Sequence, residues 1–196
     1  MAQRALKLPS FADLYRQIEA LPQGITGEIL EPGVLRTMSR PGGPHRFASF
    51  RIRRTLQGAD LAEGGKGWWF EIEAEIRFPD DLLAVPDVAG WRAEELPGFV
   101  DKNPIEILPD FCCEILSPTT ARDDRRIKLP LYARAGVGWI WLVDPELRLV
   151  EVYCTEKRRP CLTLTAKDDD VLELPPFEGD IEVGRWWKAQ PPAAAP

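Results

Sequence analysis

The chain has 196 residues, 44% of them hydrophobic and 29% charged, with a formal net charge of −6. That length suits one domain with a buried core, and the ordinary globular composition excludes a chain that is disordered throughout. The acidic balance argues against a protein that coats nucleic acid through bulk positive charge, although it leaves room for a local basic face or a metal-neutralised acidic site. No apolar run approaches the roughly 20 residues that span a bilayer, and the N-terminal MAQRALKLPSFADLY lacks the apolar core of a secretory signal. The expected setting is therefore cytoplasmic, with no membrane partner. Cys112, Cys113, Cys154 and Cys161 form no CxxC or Cys/His pair, so they are expected as reduced residues rather than zinc ligands or staples.

In chain order, Ser10 followed by Asp13 reads as a capping box, and Leu14, Ile18 and Leu21 recur at helical spacing, so a short helix is expected from Ser10 to Ala20. Glu28 to Glu31 and Val34 to Met38, joined by Pro32-Gly33, read as a hairpin, and Arg40 to Pro44 as a loop. A second helix is expected from His45 to Gln57, with Phe47, Phe50 and Leu56 towards a core. Its arginines Arg46, Arg51, Arg53 and Arg54 read either as a solvated face or as contacts for phosphates.

Trp68 to Phe78 alternates apolar and charged residues and predicts one half-buried strand. Asp81 to Trp91 predicts a second, interrupted by Pro86-Asp87. The stretch Phe111 to Leu116 is a buried strand carrying one carboxylate, Glu114. A helix over Ala121 to Ala135 follows, in which Asp123 and Asp124 suit the first turn and Pro130 predicts a kink. Gly138 to Asp144 and Leu147 to Cys154 read as a hairpin, and Cys161 to Thr165 with Val171 to Leu174 as a further pair. Residues 9–188 are expected to form one domain, and 189–196 a flexible Pro/Ala tail.

Asp87 and Glu114 are acids in settings where an isolated charge is costly. Two strand carboxylates on one face repel unless a divalent cation or a shared proton joins them, and hard oxygen donors suit Mg2+ or Mn2+. Each residue also has a plainer reading. Pro-Asp is often an edge device, Glu114 could be a core partner of Arg125 or Lys128, and His45 fits a packed or helix-terminal role.

Glu28, His45, the VPD containing Asp87, EILSPTT, the Asp-Asp-Arg-Arg-x-Lys run, AGV and WLVDP resemble, in that order, the Uma family of putative restriction endonucleases. The resemblance covers about Phe11 to Tyr153. It implies an α/β (α+β) restriction-endonuclease-like, PD-(D/E)XK fold: a mixed β-sheet flanked by helices, here with additional N- and C-terminal β-hairpins. It further implies Asp87 and Glu114 as metal ligands for Mg2+ or Mn2+, with Glu28 as an additional acid. The general motif places a lysine two residues after the glutamate, where this chain has Leu116, and the family reading transfers that role to Lys128.

The expected function is a metal-dependent endonuclease hydrolysing DNA phosphodiesters, with Asp87, Glu114, Lys128 and Glu28 as catalytic residues. Arg46, Arg51, Arg54 and Arg125 are the candidate DNA contacts. The alternative is a nuclease fold of weak or absent catalysis that binds nucleic acid or a protein. A hydrolase of another phosphate ester ranks last, because no nucleoside reader is legible. A homodimer through exposed edge strands and the aromatic hairpin at Trp139 is a further expectation.

Overall fold

The computed structural model describes residues 8–39, 42–96, 98 and 100–187, so Arg40, Pro41 and the expected tail 189–196 lie outside the described residues. The strand Phe111–Ile115 (β7) is buried along its whole length and sits inside a six-stranded sheet. On one side it pairs in parallel with Trp139–Asp144 (β8), followed by Leu149–Glu156 (β9) and Arg159–Lys167 (β10). On the other it pairs antiparallel with Val88–Arg92 (β6), which pairs with Trp68–Ile72 (β3). The parallel β7–β8 pair requires a crossover, and the helical segment 121–135 supplies it. A four-stranded sheet is formed by Ile25–Glu31 (β1), Val34–Ser39 (β2), Ile76–Phe78 (β4) and Leu82–Ala84 (β5), in the order β2-β1-β5-β4.

Alternation along β7 assigns its two faces. Phe111, Cys113 and Ile115 face a core completed by Trp141, Val143, Phe177 and Trp186, and by Ala48, Ile52 and Leu56 of the helix Gly43–Leu56 (α2). Cys112 and Leu116 face the opposite core with Leu129, Tyr132 and Ala133 of the crossover helix and Leu30, Ile76 and Phe78 of the smaller sheet. Glu114 shares that second face. The capped helix Phe11–Glu19 (α1) covers the other side of the smaller sheet through Leu14 and Ile18. Close packing there requires Gly27, where a Cβ would lie 2.6 Å from Ile18 Cγ1.

Several expectations are corrected. The strand 68–78 is broken, because Glu73 adopts φ 51 and the chain passes from β3 in the large sheet to β4 in the small one. The strand 81–91 breaks likewise at Pro86-Asp87, between β5 and β6. Pro86 has no N–H, and the N–H of Val85 goes to a side chain, Glu28, instead of a strand. In α2, which includes Gly43 and Pro44 of the expected loop, the core face is Ala48, Ile52 and Leu56. Phe50 is instead 56% exposed. The strands expected to pair after Cys161 do not pair with each other: β10 pairs with β9, while Val171–Glu173 (β11) pairs with Asp180–Glu182 (β12). Trp141 is fully buried and Trp139 partly so, which leaves little of the aromatic hairpin exposed for a second copy.

The helix 121–135 comprises Ala121–Asp123 (α3), a π-helical turn Asp124–Lys128 and Leu129–Ala135 (α4). The distortion is therefore the π turn, marked by the N–H of Leu129 donating to the carbonyl of Asp124, while Pro130 fits the first turn of α4. Gly136 caps α4 in the left-handed conformation at φ 107. No described helix is long and apolar enough to cross a membrane.

Candidate active site

The inner ends of β1, β5, β6 and β7 and the π turn meet beneath a cavity of about 630 Å³. On its floor, β1 contributes Glu28, β7 contributes Glu114, and the turn contributes Asp124 and Lys128; all four are at most 3% exposed. Lys128 Nζ lies 2.9 Å from Glu28 Oε1, 3.2 Å from Glu114 Oε2 and 3.4 Å from Asp124 Oδ1. Tyr132, one turn further along, donates its hydroxyl to Glu114 Oε1. The order Asp124, Lys128, Tyr132 is an i, i+4, i+8 series that puts all three on the helix side facing β7.

Glu28 and Asp87 are each held by a backbone N–H at a point where a strand ladder stops. The N–H of Val85 donates to Glu28 Oε1 at 2.9 Å, and that of Ile115 to Asp87 Oδ2 at 2.7 Å. The break at Pro86-Asp87 thus leaves donors that two carboxylates complete. Asp87 Oδ1 lies 3.0 Å from His45 Nε2 in the first turns of α2. His45 Nδ1 is buried without a hydrogen-bond partner among the described residues, so Nε2 is the ring nitrogen that meets Asp87.

The electrostatics are dominated by burial of charged groups that face one another. Burial pushes the Glu114 carboxyl well above the usual range, Lys128 opposes that rise, and Asp124, Asp87 and Glu28 add to it. Burial likewise moves Asp124 up to about 6 against the pull of Lys128 and a hydrogen bond from Thr120. Burial alone would lower Lys128, but Glu114, Glu28 and Asp124 outweigh it and hold the ammonium charged well above the ordinary lysine range. Burial is thus the largest cause for both raised carboxyls, the neighbouring acids add to it, and Lys128 is the charge that opposes it.

Glu28, Asp87, Glu114 and Lys128, singled out in the sequence, thus all line one cavity. Leu116, at the motif's usual lysine position, is buried in the core, and the Lys128 ammonium reaches Glu114 from the helix instead. The four arginines expected as DNA contacts do not line the cavity. Arg125 is bound to Glu151, Arg51 Nε donates to the carbonyl of Arg185, and Arg46 and Arg54 are exposed on α2. Sequence reasoning overlooked Asp124, Tyr132 and the contact from His45 to Asp87. The i, i+4 spacing of Asp124 and Lys128 was the available signal for the first.

Among the described residues no three His, Cys, Asp or Glu groups form a ready-made metal shell. The donor set nonetheless fits a hard cation, because Mg2+ typically uses one or two carboxylates and completes its shell with water and substrate oxygens. Asp87 and Glu114 would hold it, each oxygen having a lone pair beyond the contact already made.

The family model described as "Uma2: Putative restriction endonuclease" matches residues 12–184. A crystal structure from Anabaena variabilis ATCC 29413, titled as a putative nuclease belonging to DUF820, is similar with a TM-score of 0.71 and 19% identity. The match covers 91% of this chain and 97% of that one, and at this identity it establishes the shared fold. No curated protein matches the chain.

Proposed function

The chain belongs to the Uma2 family, and from that membership we propose that it is a divalent-metal-dependent endonuclease that hydrolyses DNA phosphodiester bonds in the cavity above Glu114. The observation that carries the proposal is the buried cluster in which Lys128 Nζ contacts Glu28, Glu114 and Asp124 while Asp87 is pinned to the adjoining N–H of Ile115. A structural ion pair does not need three carboxylates around one ammonium with a fourth, Asp87, beside them; a site built to receive a cation and an anionic substrate does.

A bound Mg2+ or Mn2+ supplies a water of lowered pKa and positive charge for the oxygens of the reacting phosphate. The chain's own residues set up that chemistry. Glu114 presents its oxygens from β7, and Asp87 presents its own from the residue just before β6, next to the Val88–Cys113 pair that ends the β6–β7 ladder. Ile115 N–H and His45 Nε2 orient Asp87, and Tyr132 orients Glu114. Lys128 holds its proton and neutralises part of the charge of Glu28, Glu114 and Asp124, keeping the Glu114 carboxyl in place beside the reacting phosphate. Walls formed by Leu30, Val85 and Leu116 limit water at the floor.

The test is incubation of supercoiled plasmid and of single-stranded DNA with the protein and magnesium or manganese. Nicking or linearisation that stops on chelation, and that Asp87→Asn and Glu114→Gln lose, is the expected result. Parent protein that leaves both substrates intact contradicts the enzyme reading and favours the alternative, a nuclease-fold module that binds nucleic acid or a protein without cutting.

A further inference from the structure

The cavity is lined by seven acidic side chains, Glu28, Glu73, Asp87, Glu114, Asp123, Asp124 and Glu146, and yet it has to hold a polyanion. Lys128 is buried on the floor and committed to its carboxylates, so it cannot by itself attract a strand from solvent. Among the described residues the arginine that lines the cavity is Arg36, which sequence reasoning passed over.

Arg36 stands directly opposite Glu28 in the β1–β2 ladder. Cross-strand partners project from the same face of a sheet, so the guanidinium rises from the floor carboxylate towards the opening. Its side chain is 31% exposed. Its partners Asp123 and Glu31 are more exposed still, and Nη1 donates to Asp123 Oδ2 at 2.5 Å while Nη2 donates to Glu31. Asp123 comes from α3 and Arg36 from β2, so their bridge joins the two sides of the cavity rim.

We propose that Arg36 is a docking residue for a nucleic-acid backbone phosphate, and that Asp123 occupies its fork in the free protein until a phosphodiester displaces it. This inference rests on the nuclease reading and adds to it the group that grips the substrate. An ion pair this exposed contributes little to stability, so exchanging its anion costs little. A phosphodiester presents two oxygens that match the planar guanidinium fork, and Asp123 can turn its carboxylate into water when displaced. The exchange swaps one anion for another on the guanidinium, so Arg36 stays paired throughout.

The experiment is fluorescence anisotropy of a labelled mixed-sequence duplex and of its single strand, with calcium in place of magnesium, over a range of salt concentrations. Arg36→Gln is expected to weaken binding about tenfold irrespective of sequence, and to reduce the slope of log K against log salt by roughly one phosphate contact. Asp123→Asn is expected to tighten binding severalfold, because it leaves the fork less occupied. Arg36→Lys keeps the charge without the fork and should retain the parent slope with intermediate affinity. Thermal unfolding of each variant separates these effects from loss of fold.

Opposite signs for Arg36→Gln and Asp123→Asn support the inference, since a merely structural strut weakens in both. Equal weakening by both variants, or parent affinity and slope in Arg36→Gln, overturns it while leaving the nuclease reading intact. Parent protein that binds neither probe overturns the nuclease reading, and this inference with it.

Discussion

Lys128 Nζ lies 3.2 Å from Glu114 Oε2, and the two residues are 14 positions apart on different elements. The motif of the fold usually brings this lysine from the same strand, two residues after the acid, where this chain has Leu116. The crossover helix delivers it here through a π turn. Inserting that wider turn into the helix allows Asp124, Lys128 and Tyr132 all to address the strand face carrying Glu114.

Replacing Lys128 by Met keeps a long side chain but leaves Glu28, Glu114 and Asp124 without their shared cation. Breaking a buried ion pair from one side costs about 3–5 kcal/mol. Urea unfolding should show a loss of that order in Lys128→Met, and a smaller loss when Glu28→Gln and Glu114→Gln are already present. A loss below about 1 kcal/mol in the single variant would mean that the carboxylates do not depend on the ammonium.

His45 acts on the site through Asp87, as a positioning residue. Removing a partner that orients a ligand typically costs about 10–100-fold in metal affinity or activity. His45→Ala should lose that much manganese affinity with little change in thermal stability, and His45→Gln, which can place an N–H where Nε2 stands, should recover part of it. Equal loss in both would point to packing in α2 rather than to the bond with Asp87.

The pH dependence of stability follows from the raised carboxyls. Burial moves Asp124 from the ordinary 3.8 up to about 6 in the folded protein, and Glu114 is displaced upward as well. A folded carboxyl with a raised pKa binds its proton more tightly than the unfolded chain does, so its contribution is present below about pH 4 and is lost as pH rises through about 6. Without divalent cations the melting temperature should therefore fall across that window, corresponding to at most about 3 kcal/mol from Asp124. Magnesium or manganese should restore more stability at neutral pH than at pH 4. A flat profile, unaffected by the cations, would contradict the raised Asp124 carboxyl.

Much of the site was legible because its chemistry clashes with its surroundings. Glu114 stands out between Cys113 and Ile115, and Asp87 follows a proline inside an apolar run. The family pattern links both to Glu28 and Lys128. Asp124 was read as a helix-dipole acid because nothing local announces a π turn, and its burial depends on a lysine four residues on being held by two other chain segments. The Tyr132 ring packs against Phe78 while its hydroxyl meets Glu114, and the spacing of a tyrosine on the apolar side of a helix signals the first role and not the second.

The sheet switch at Glu73 was hidden for a different reason. A left-handed backbone at a glutamate, without glycine or proline beside it, is imposed by tertiary contacts and not by local preference. The same holds for β11: adjacency in sequence suggested β10 as its partner, but register is set by which buried faces match. Arg36 was invisible because only the β1–β2 pairing reveals that it stands opposite Glu28.

The central claim, that Asp87 and Glu114 form a divalent-cation site beside Lys128, is tested most directly by calorimetric titration of the parent, Asp87→Asn and Glu114→Gln with manganese. The account predicts saturable binding in the parent and its loss in both variants, each of which still unfolds cooperatively. No binding heat in the parent at any temperature tried, or unchanged binding in both variants, would contradict it.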